Sequence, residues 1–186
     1  MAKEHEIDIL EVDRAEAARR LKQLGADYNG HVRYRRIEWL IGGRIGKMHS
    51  WGRVRTDGKN TTITVKRFRG KHLPMDEHEI SANSFEEAVR LVSRLTRSKI
   101  FYFENERDIY RLDGATITLD KWPLVPLFME IESRSMSHAN ELYKRLGIKG
   151  ELVGNATIDS IFKRYGLDFR KEMSRNNGKL ERILKP

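Results

Sequence analysis

The sequence predicts an α+β protein whose antiparallel β-sheet is closed or nearly closed into a barrel, a tunnel with a polar charged lumen and helices packed on the outside. Three observations predict this fold. Several stretches alternate polar and apolar residues with a period of two, and four amphipathic stretches begin at helix-capping residues. The polar positions of the strands also carry dense charges of both signs, which favours an enclosed polar surface.

Four helices are predicted from their apolar stripes and caps. They cover about 14–24, 85–95, 138–146 and 158–165. Each follows a residue whose side chain can accept a hydrogen bond from the first turn, namely Asp13, Ser84, Ser137 and Thr157. Gly25, Gly147 and Gly166 end three of them.

The predicted strands separate charged from apolar residues by parity. They are EHEID, VRYRRIEWL, WGRVR, TTITVKR, the EHE at 77–79, IFYFENERDIY, ATITLD and FMEIE. In TTITVKR, for example, Thr64 and Lys66 point away from Ile63 and Val65. An ordinary antiparallel sheet with one wet face is the alternative for any single strand.

The composition limits the class of protein. The 186 residues are enough for one domain, predicted at 1–170 and followed by a basic tail at 171–186. The chain has no cysteine, which excludes disulfides and thiol chemistry, and no apolar run long enough for a membrane span or leader. A cytoplasmic protein without membrane contact is expected. A net charge of +9 suggests polyanionic partners, although a solvated basic surface is the alternative.

Five ordered motifs resemble one family. They are EHEIDILEVD (4–13), WGRVRTDGKNTTITVK (51–66), ENERDIY (104–110), LDKWPLVPLFMEIE (119–132) and IFKRYGLD (161–168). Together they are similar to the CYTH superfamily, the triphosphate tunnel metalloenzymes. That superfamily includes class IV adenylyl cyclases, thiamine triphosphatases and inorganic triphosphatases.

The resemblance implies a tunnel that binds a triphosphate-containing small molecule together with Mg²⁺ or Mn²⁺. The implied metal ligands are Glu4, Glu6, Asp120, Glu130 and Glu132, with Glu77 and Glu79 as possible additional acids. The implied triphosphate ligands are Arg53, Arg55, Lys66 and Arg107. Water or a ribose hydroxyl would attack the triphosphate, and a homodimer is possible.

Two positions depart from the family pattern. Asp8 stands where the opening Glu-x-Glu-x-Lys motif has its lysine, and Asn105 stands where the Lys-x-Arg motif has its lysine. The family lysine is often assigned a base or phosphate-contacting role, so the catalytic residue of this chain stays unassigned. An aspartate in its place changes the local charge by two units, which would weaken triphosphate binding or strengthen cation binding.

Three functions follow in order of preference. The first is metal-dependent binding and hydrolysis of a nucleoside, thiamine or inorganic triphosphate, ahead of cyclisation of ATP by a class IV-type adenylyl cyclase, because hydrolysis needs only a positioned water. The second is a binding module that retains a nucleotide or polyphosphate without turnover, which Asp8 and Asn105 favour. RNA binding is the third and is not expected, because no aromatic-rich nucleic-acid motif is present.

Overall fold

The computed structural model describes residues 5–45, 48–67, 76–175 and 177–185. The strands are β1 (His5–Leu10), β2 (Asp27–Ile45), β3 (Met48–Thr56), β4 (Thr61–Arg67), β5 (Asp76–Ala82), β6 (Ile100–Leu112), β7 (Ala115–Lys121), β8 (Phe128–Ser133) and β9 (Glu151–Gly154). The helices are α1 (Arg14–Gln23), α2 (Phe85–Leu95), α3 (Met136–Leu146), α4 (Ile158–Arg164), α5 (Phe169–Ser174) and α6 (Asn177–Leu184). The prediction of an α+β protein with a large antiparallel sheet is confirmed.

The chain divides into two units. Unit 1 consists of Met1–Arg33 and Asn105–Leu167, and unit 2 of Tyr34–Glu104 and Asp168–Pro186. The strand order is β2-β6-β7-β8-β1-β9 in unit 1 and β5-β4-β3-β2-β6 in unit 2, because the chain passes from one unit to the other within β2 and within β6. Within the described residues no ladder joins β5 to β9. Closure of the sheet into a barrel is therefore not confirmed.

Each unit has its own apolar core. In unit 1 the apolar faces of the strands pack with α1 and α3, and Ile9, Leu21 and Leu142 are fully buried there. In unit 2 the stripe of α2 that contains Val89 packs with Val54 of β3. Gly52 of β3 is required by this packing, since a Cβ at this position would lie 2.1 Å from the ring of Trp39.

The predicted helices form close to their expected bounds, and local hydrogen bonds explain why. The Asp13 carboxylate accepts from the Glu16 N–H at 2.7 Å, and the Ser84 hydroxyl accepts from the Glu87 N–H at 3.3 Å. The third helix begins two residues earlier than expected, because Ser135 rather than Ser137 accepts from the first turn.

The basic C-terminal segment contains the helices α5 and α6, although the sequence predicted no helix there. The reason is a sparse set of apolar side chains that pack within unit 2. The Phe169 ring lies 5.4 Å from that of Phe103, Met173 is 1% exposed, and Leu180 belongs to the core. Arg90 of α2 also donates a 3.0 Å hydrogen bond to the Ile183 carbonyl.

Across the described ranges, none of the helices has the length and apolar character that a membrane crossing requires.

Candidate functional site

One face of the sheet in unit 1 is acidic. The register sets Asp8 of β1 opposite Glu130 of β8, and Glu6 opposite Glu132. On the other side of β8, Thr118 of β7 is opposite Glu130. Because alternate residues of a strand share a face, these side chains all lie opposite the apolar core of the unit.

Glu6, Asp8 and Glu130 form the tightest group on this face. Each offers a carboxylate oxygen, and the three oxygens lie within 4.8 Å of one another. Asp8 is only 1% exposed, and its Oδ2 accepts a 2.7 Å hydrogen bond from the Ala156 N–H after β9. The sequence pattern marked Asp8 as a departure, and the structure places it inside the acidic group.

The environment of Asp8 disfavours its ionised form. Burial is the main cause that raises the pKa of Asp8 from 3.8 to about 7, and the charges of Glu130 and Asp120 add to it. The Ala156 N–H and the Arg107 guanidinium act in the opposite direction. A cation would relieve this cost, because it would replace repulsion between carboxylates with attraction.

Asp120 and Arg107 are already engaged with each other. The Asp120 carboxylate is fully buried and accepts from Arg107 Nε at 2.8 Å and from the Thr118 hydroxyl at 2.7 Å. The Asn105 amide donates to it at 3.3 Å. Arg107 also reaches Glu130, with an Nη2–Oε2 distance of 3.0 Å. Arg107, an expected triphosphate ligand, thus bridges two expected metal ligands.

Of the other expected metal ligands, Glu4 and Glu132, only Glu132 has a described position relative to the three-carboxylate group. Glu132 lies on the same face, opposite Glu6 in the register, but does not belong to the group. Glu4 lies outside the described residues.

One face of the sheet in unit 2 is rich in guanidinium groups. Across β2, β3 and β4, Arg36 pairs with Arg55, and Arg55 pairs with Thr62. The next rung places Glu38 opposite Arg53. Arg36 and Glu38 were missed at the sequence level, although their alternation with the buried Ile37 and Trp39 in VRYRRIEWL was a usable signal.

Arg53 and Arg55 make no ion pair with a carboxylate of the described residues, although Glu38 lies opposite Arg53 in the register. Arg53 Nε is buried without a hydrogen-bond partner among the described residues. Burial and the neighbouring Arg55 lower the pKa of Arg53, and the charges of Glu38, Glu77 and Glu79 offset part of this effect. The guanidinium of Arg55 stacks 5.0 Å above the Tyr34 ring, which orients it without neutralising it.

A small cavity lies beside Arg55. Its volume is about 70 Å³, and Tyr34, Asp57, Asn60 and Thr62 line it together with Arg55. The buried Thr62 hydroxyl oxygen has no hydrogen-bond partner among the described residues. The Thr62 hydroxyl and the Arg55 guanidinium suit an anionic oxygen, and the Asp57 carboxylate of the same cavity already accepts from the Lys59 and Asn60 N–H groups.

Lys66, Glu77 and Glu79 lie on the same face and are paired. Lys66 Nζ is 2.7 Å from Glu77 Oε2, and the Thr64 hydroxyl donates to Glu79 Oε2 at 2.7 Å. Lys66 is therefore neutralised by Glu77 in this structure, whereas Arg53 and Arg55 are not neutralised by ion pairs with the described residues.

In unit 1 one face of the strands is rich in carboxylates, and in unit 2 one face of the strands is rich in guanidiniums. Together with the large antiparallel sheet, these faces define a class of α+β proteins. The chain belongs to the CYTH domain family, whose model matches residues 44–152. The resemblance found in the motifs is confirmed.

Solved structures agree with the fold. A protein of Pyrococcus horikoshii has 22% identity and a TM-score of 0.69, with 85% of this chain and 99% of that chain covered. A candidate adenylate cyclase of Vibrio parahaemolyticus has 12% identity and a TM-score of 0.66, with coverage of 87% and 98%. A candidate adenylyl cyclase of Hippeastrum, described as having a dominant triphosphatase activity, has 15% identity and a TM-score of 0.54, with coverage of 91% and 99%. The search of curated proteins returned no match.

Proposed function

We propose that this protein binds a triphosphate-containing small molecule with a divalent cation and hydrolyses it. The observation that carries the proposal is the pair of guanidiniums of Arg53 and Arg55, which lie side by side on β3 without a carboxylate ion pair among the described residues. Keeping such groups desolvated and unneutralised is costly. A ligand with several anionic oxygens offsets this cost, and guanidiniums bind phosphate oxygens in a bidentate manner.

The acidic group of unit 1 fits Mg²⁺ or Mn²⁺. Glu6, Asp8 and Glu130 offer three carboxylate oxygens, and hard divalent cations prefer oxygen ligands. When bound, the cation would neutralise phosphate oxygens and polarise the phosphorus that is attacked. Glu4, Asp120 and Glu132 stay proposed ligands that the resemblance implies.

The residues of the chain have distinct proposed roles. Arg53 and Arg55 bind phosphate oxygens, and Thr62 donates to the same anion the hydroxyl that has no partner among the described residues. Lys66 contributes a further positive contact once the ligand competes with Glu77 for its ammonium group. Arg107 positions Glu130 through its ion pairs and lowers the repulsion among the carboxylates.

Hydrolysis is proposed ahead of cyclisation. Hydrolysis requires a positioned water, whereas a cyclase must also orient a ribose hydroxyl in line with the α-phosphate. The Hippeastrum protein, which shares only the fold at 15% identity, is described as a candidate cyclase with dominant triphosphatase activity. That description supports a test of both reactions on this chain.

Binding without turnover is the second candidate, and Asp8 favours it. The carboxylate of Asp8 lies within the acidic group, at the position where the family places a lysine. A carboxylate cannot donate to a phosphate as an ammonium group does, and it strengthens cation binding instead.

Product analysis tests the proposal. The purified protein is incubated with Mg²⁺ or Mn²⁺ and with ATP, thiamine triphosphate or tripolyphosphate. Release of orthophosphate supports hydrolysis, and pyrophosphate with a cyclic nucleotide supports cyclisation. Bound but intact ligand supports the second candidate. No binding of any of the three triphosphates contradicts the proposal.

A further inference from the structure

His31 of β2 lies between two carboxylates of β6, away from the residues assigned above. Its Nδ1 is 2.8 Å from Asp108 Oδ1, and its Nε2 is 4.0 Å from Glu106 Oε2. Asp108 is buried, and its carboxylate also contacts Arg14 Nη1 at 2.8 Å and accepts from the Tyr28 hydroxyl at 3.3 Å. All five residues belong to unit 1.

The contacts of Asp108 determine which nitrogen of His31 carries the hydrogen. An ionised carboxylate only accepts hydrogen bonds, so the hydrogen of a neutral imidazole must be on Nδ1. Nε2 then presents a lone pair towards the Glu106 carboxylate, which is also an acceptor. When the imidazole is neutral, two electron-pair donors therefore face each other at 4.0 Å. Either a proton on Nε2 or a cation bound by both groups satisfies them, and the cation is the case that titration with a metal tests.

The gap is open to ions from solvent. The side chains of His31 and Glu106 are 42% and 44% exposed, so an ion can reach both atoms without rearrangement of the core. Asp108 holds the imidazole from behind, in the way that a carboxylate commonly orients a metal-binding histidine.

We propose that His31 and Glu106 form a second cation site, for a divalent transition metal of the zinc class, and that Asp108 is its positioning residue. An imidazole nitrogen favours such metals over Mg²⁺, whereas the all-oxygen group of Glu6, Asp8 and Glu130 favours Mg²⁺ or Mn²⁺. Solvent completes the coordination of the metal at this site. The site is independent of the proposed triphosphate chemistry.

Calorimetric titration of the full chain with Zn²⁺, in excess Mg²⁺ to saturate the all-oxygen group, tests the site. We expect one Zn²⁺ per chain in the wild type and loss of this binding event in His31→Gln. His78→Gln is the matched control, because His78 is exposed on β5, and it should bind Zn²⁺ as the wild type does. The proposal is overturned if the wild type binds no Zn²⁺ or if His31→Gln binds it with unchanged affinity.

Three further variants separate a metal site from a structural cluster. Glu106→Gln, at a side chain that is 44% exposed, should weaken Zn²⁺ binding at least tenfold. Asp108→Asn should weaken it about 10- to 100-fold, as expected of a residue that orients a ligand. Tyr28→Phe removes another hydrogen bond to Asp108 and should change the Zn²⁺ affinity less than threefold. Equal Zn²⁺ affinities in Glu106→Gln and the wild type would also overturn the proposal.

Discussion

The acidic face of unit 1 and the basic face of unit 2 are alike in containing ion-paired side chains and differ in the sign of the charge that predominates. On each face the described residues include a cation that an ion pair neutralises: Arg107 is paired with Asp120 and Glu130 in unit 1, and Lys66 is paired with Glu77 in unit 2. Among the other described charges of each face, carboxylates predominate in unit 1, and in unit 2 the nearby Glu38 and Glu79 offset the guanidiniums of Arg53 and Arg55 only in part. The charge that ion pairs leave over on a face, rather than the number of charged residues, therefore indicates the ligand of that face. We infer a cation for unit 1 and a polyanion for unit 2.

Removal of the positive surplus should have the largest effect. Arg53→Gln combined with Arg55→Gln should weaken tripolyphosphate binding about 100-fold or more, because each charge-assisted hydrogen bond contributes roughly 1.5–3 kcal/mol. The free protein should keep or gain stability, since a partly buried guanidinium without an ion pair among the described residues is costly. Calorimetric titration and thermal unfolding measure the two effects.

Arg94→Gln is the control for this pair, because Arg94 is exposed on α2 of the same unit. It should leave both affinity and stability unchanged. A double variant that unfolds more readily and binds normally would show that the guanidiniums are structural.

Removal of part of the negative surplus should change how stability depends on pH. The folded-state pKa of Asp8 lies above its ordinary value, so metal-free protein loses stability as the pH rises from 3.8 to about 7. Asp8→Asn removes this loss and keeps an acceptor for the Ala156 N–H. We expect it to stabilise metal-free protein at pH 8 by up to about 4 kcal/mol, and not at pH 4.

Thermal unfolding in EDTA at both pH values measures this difference. Addition of Mg²⁺ should shrink it, because the cation stabilises the wild-type carboxylates. If Asp8→Asn were destabilising at pH 8, the electrostatic account of the acidic group would be wrong.

Tight packing of Gly52 against the Trp39 ring supports the basic face, and a substitution at Gly52 tests this packing. Gly52→Ala places a Cβ against the Trp39 ring and should cost about 1–3 kcal/mol of stability, as other overpacked cores do. Chemical denaturation measures the loss. Gly58→Ala is a comparison in the adjacent turn, where the space is open but the φ of +92° is strained. A fully neutral Gly52→Ala would contradict the packing described for β2 and β3.

Release of Lys66 should have the smallest effect. Glu77→Gln breaks its ion pair and adds one positive charge to the surplus of unit 2. The pair is partly exposed, so we expect tripolyphosphate affinity to rise only about threefold, consistent with less than 1 kcal/mol for such pairs. Mg²⁺ affinity measured without triphosphate should not change. Weaker triphosphate binding in Glu77→Gln would instead assign Glu77 a direct role.

Much of the fold follows from short-range patterns. The caps at Asp13 and Ser84 and the alternation of strands such as TTITVKR predicted most elements, because these signals act within a few residues. The helices α5 and α6 were missed, because the few apolar residues of the C-terminal segment stabilise them only by packing on other parts of unit 2. Closure of the barrel stays a prediction, since it depends on long-range geometry.

The candidate site was predicted residue by residue only in part. The alternation of residues along the strands correctly placed Arg53, Arg55 and Glu130 on polar faces. It cannot tell which charged partner each side chain has. Capture of Arg107 by Asp120 is a cross-strand effect, set by the register of β6 and β7. Asp8 belongs to the acidic group because β1 pairs with β8, a contact between segments more than 120 residues apart along the chain.

The linkage between cation and triphosphate tests the central claim most directly. Tripolyphosphate binding is titrated in saturating Mg²⁺ and in EDTA, for the wild type and for Glu6→Gln combined with Glu130→Gln. We predict at least tenfold tighter binding in Mg²⁺ for the wild type, and loss of this dependence in the variant, because coupling between two ligands is reciprocal. Equal affinity in Mg²⁺ and EDTA for the wild type would contradict the account.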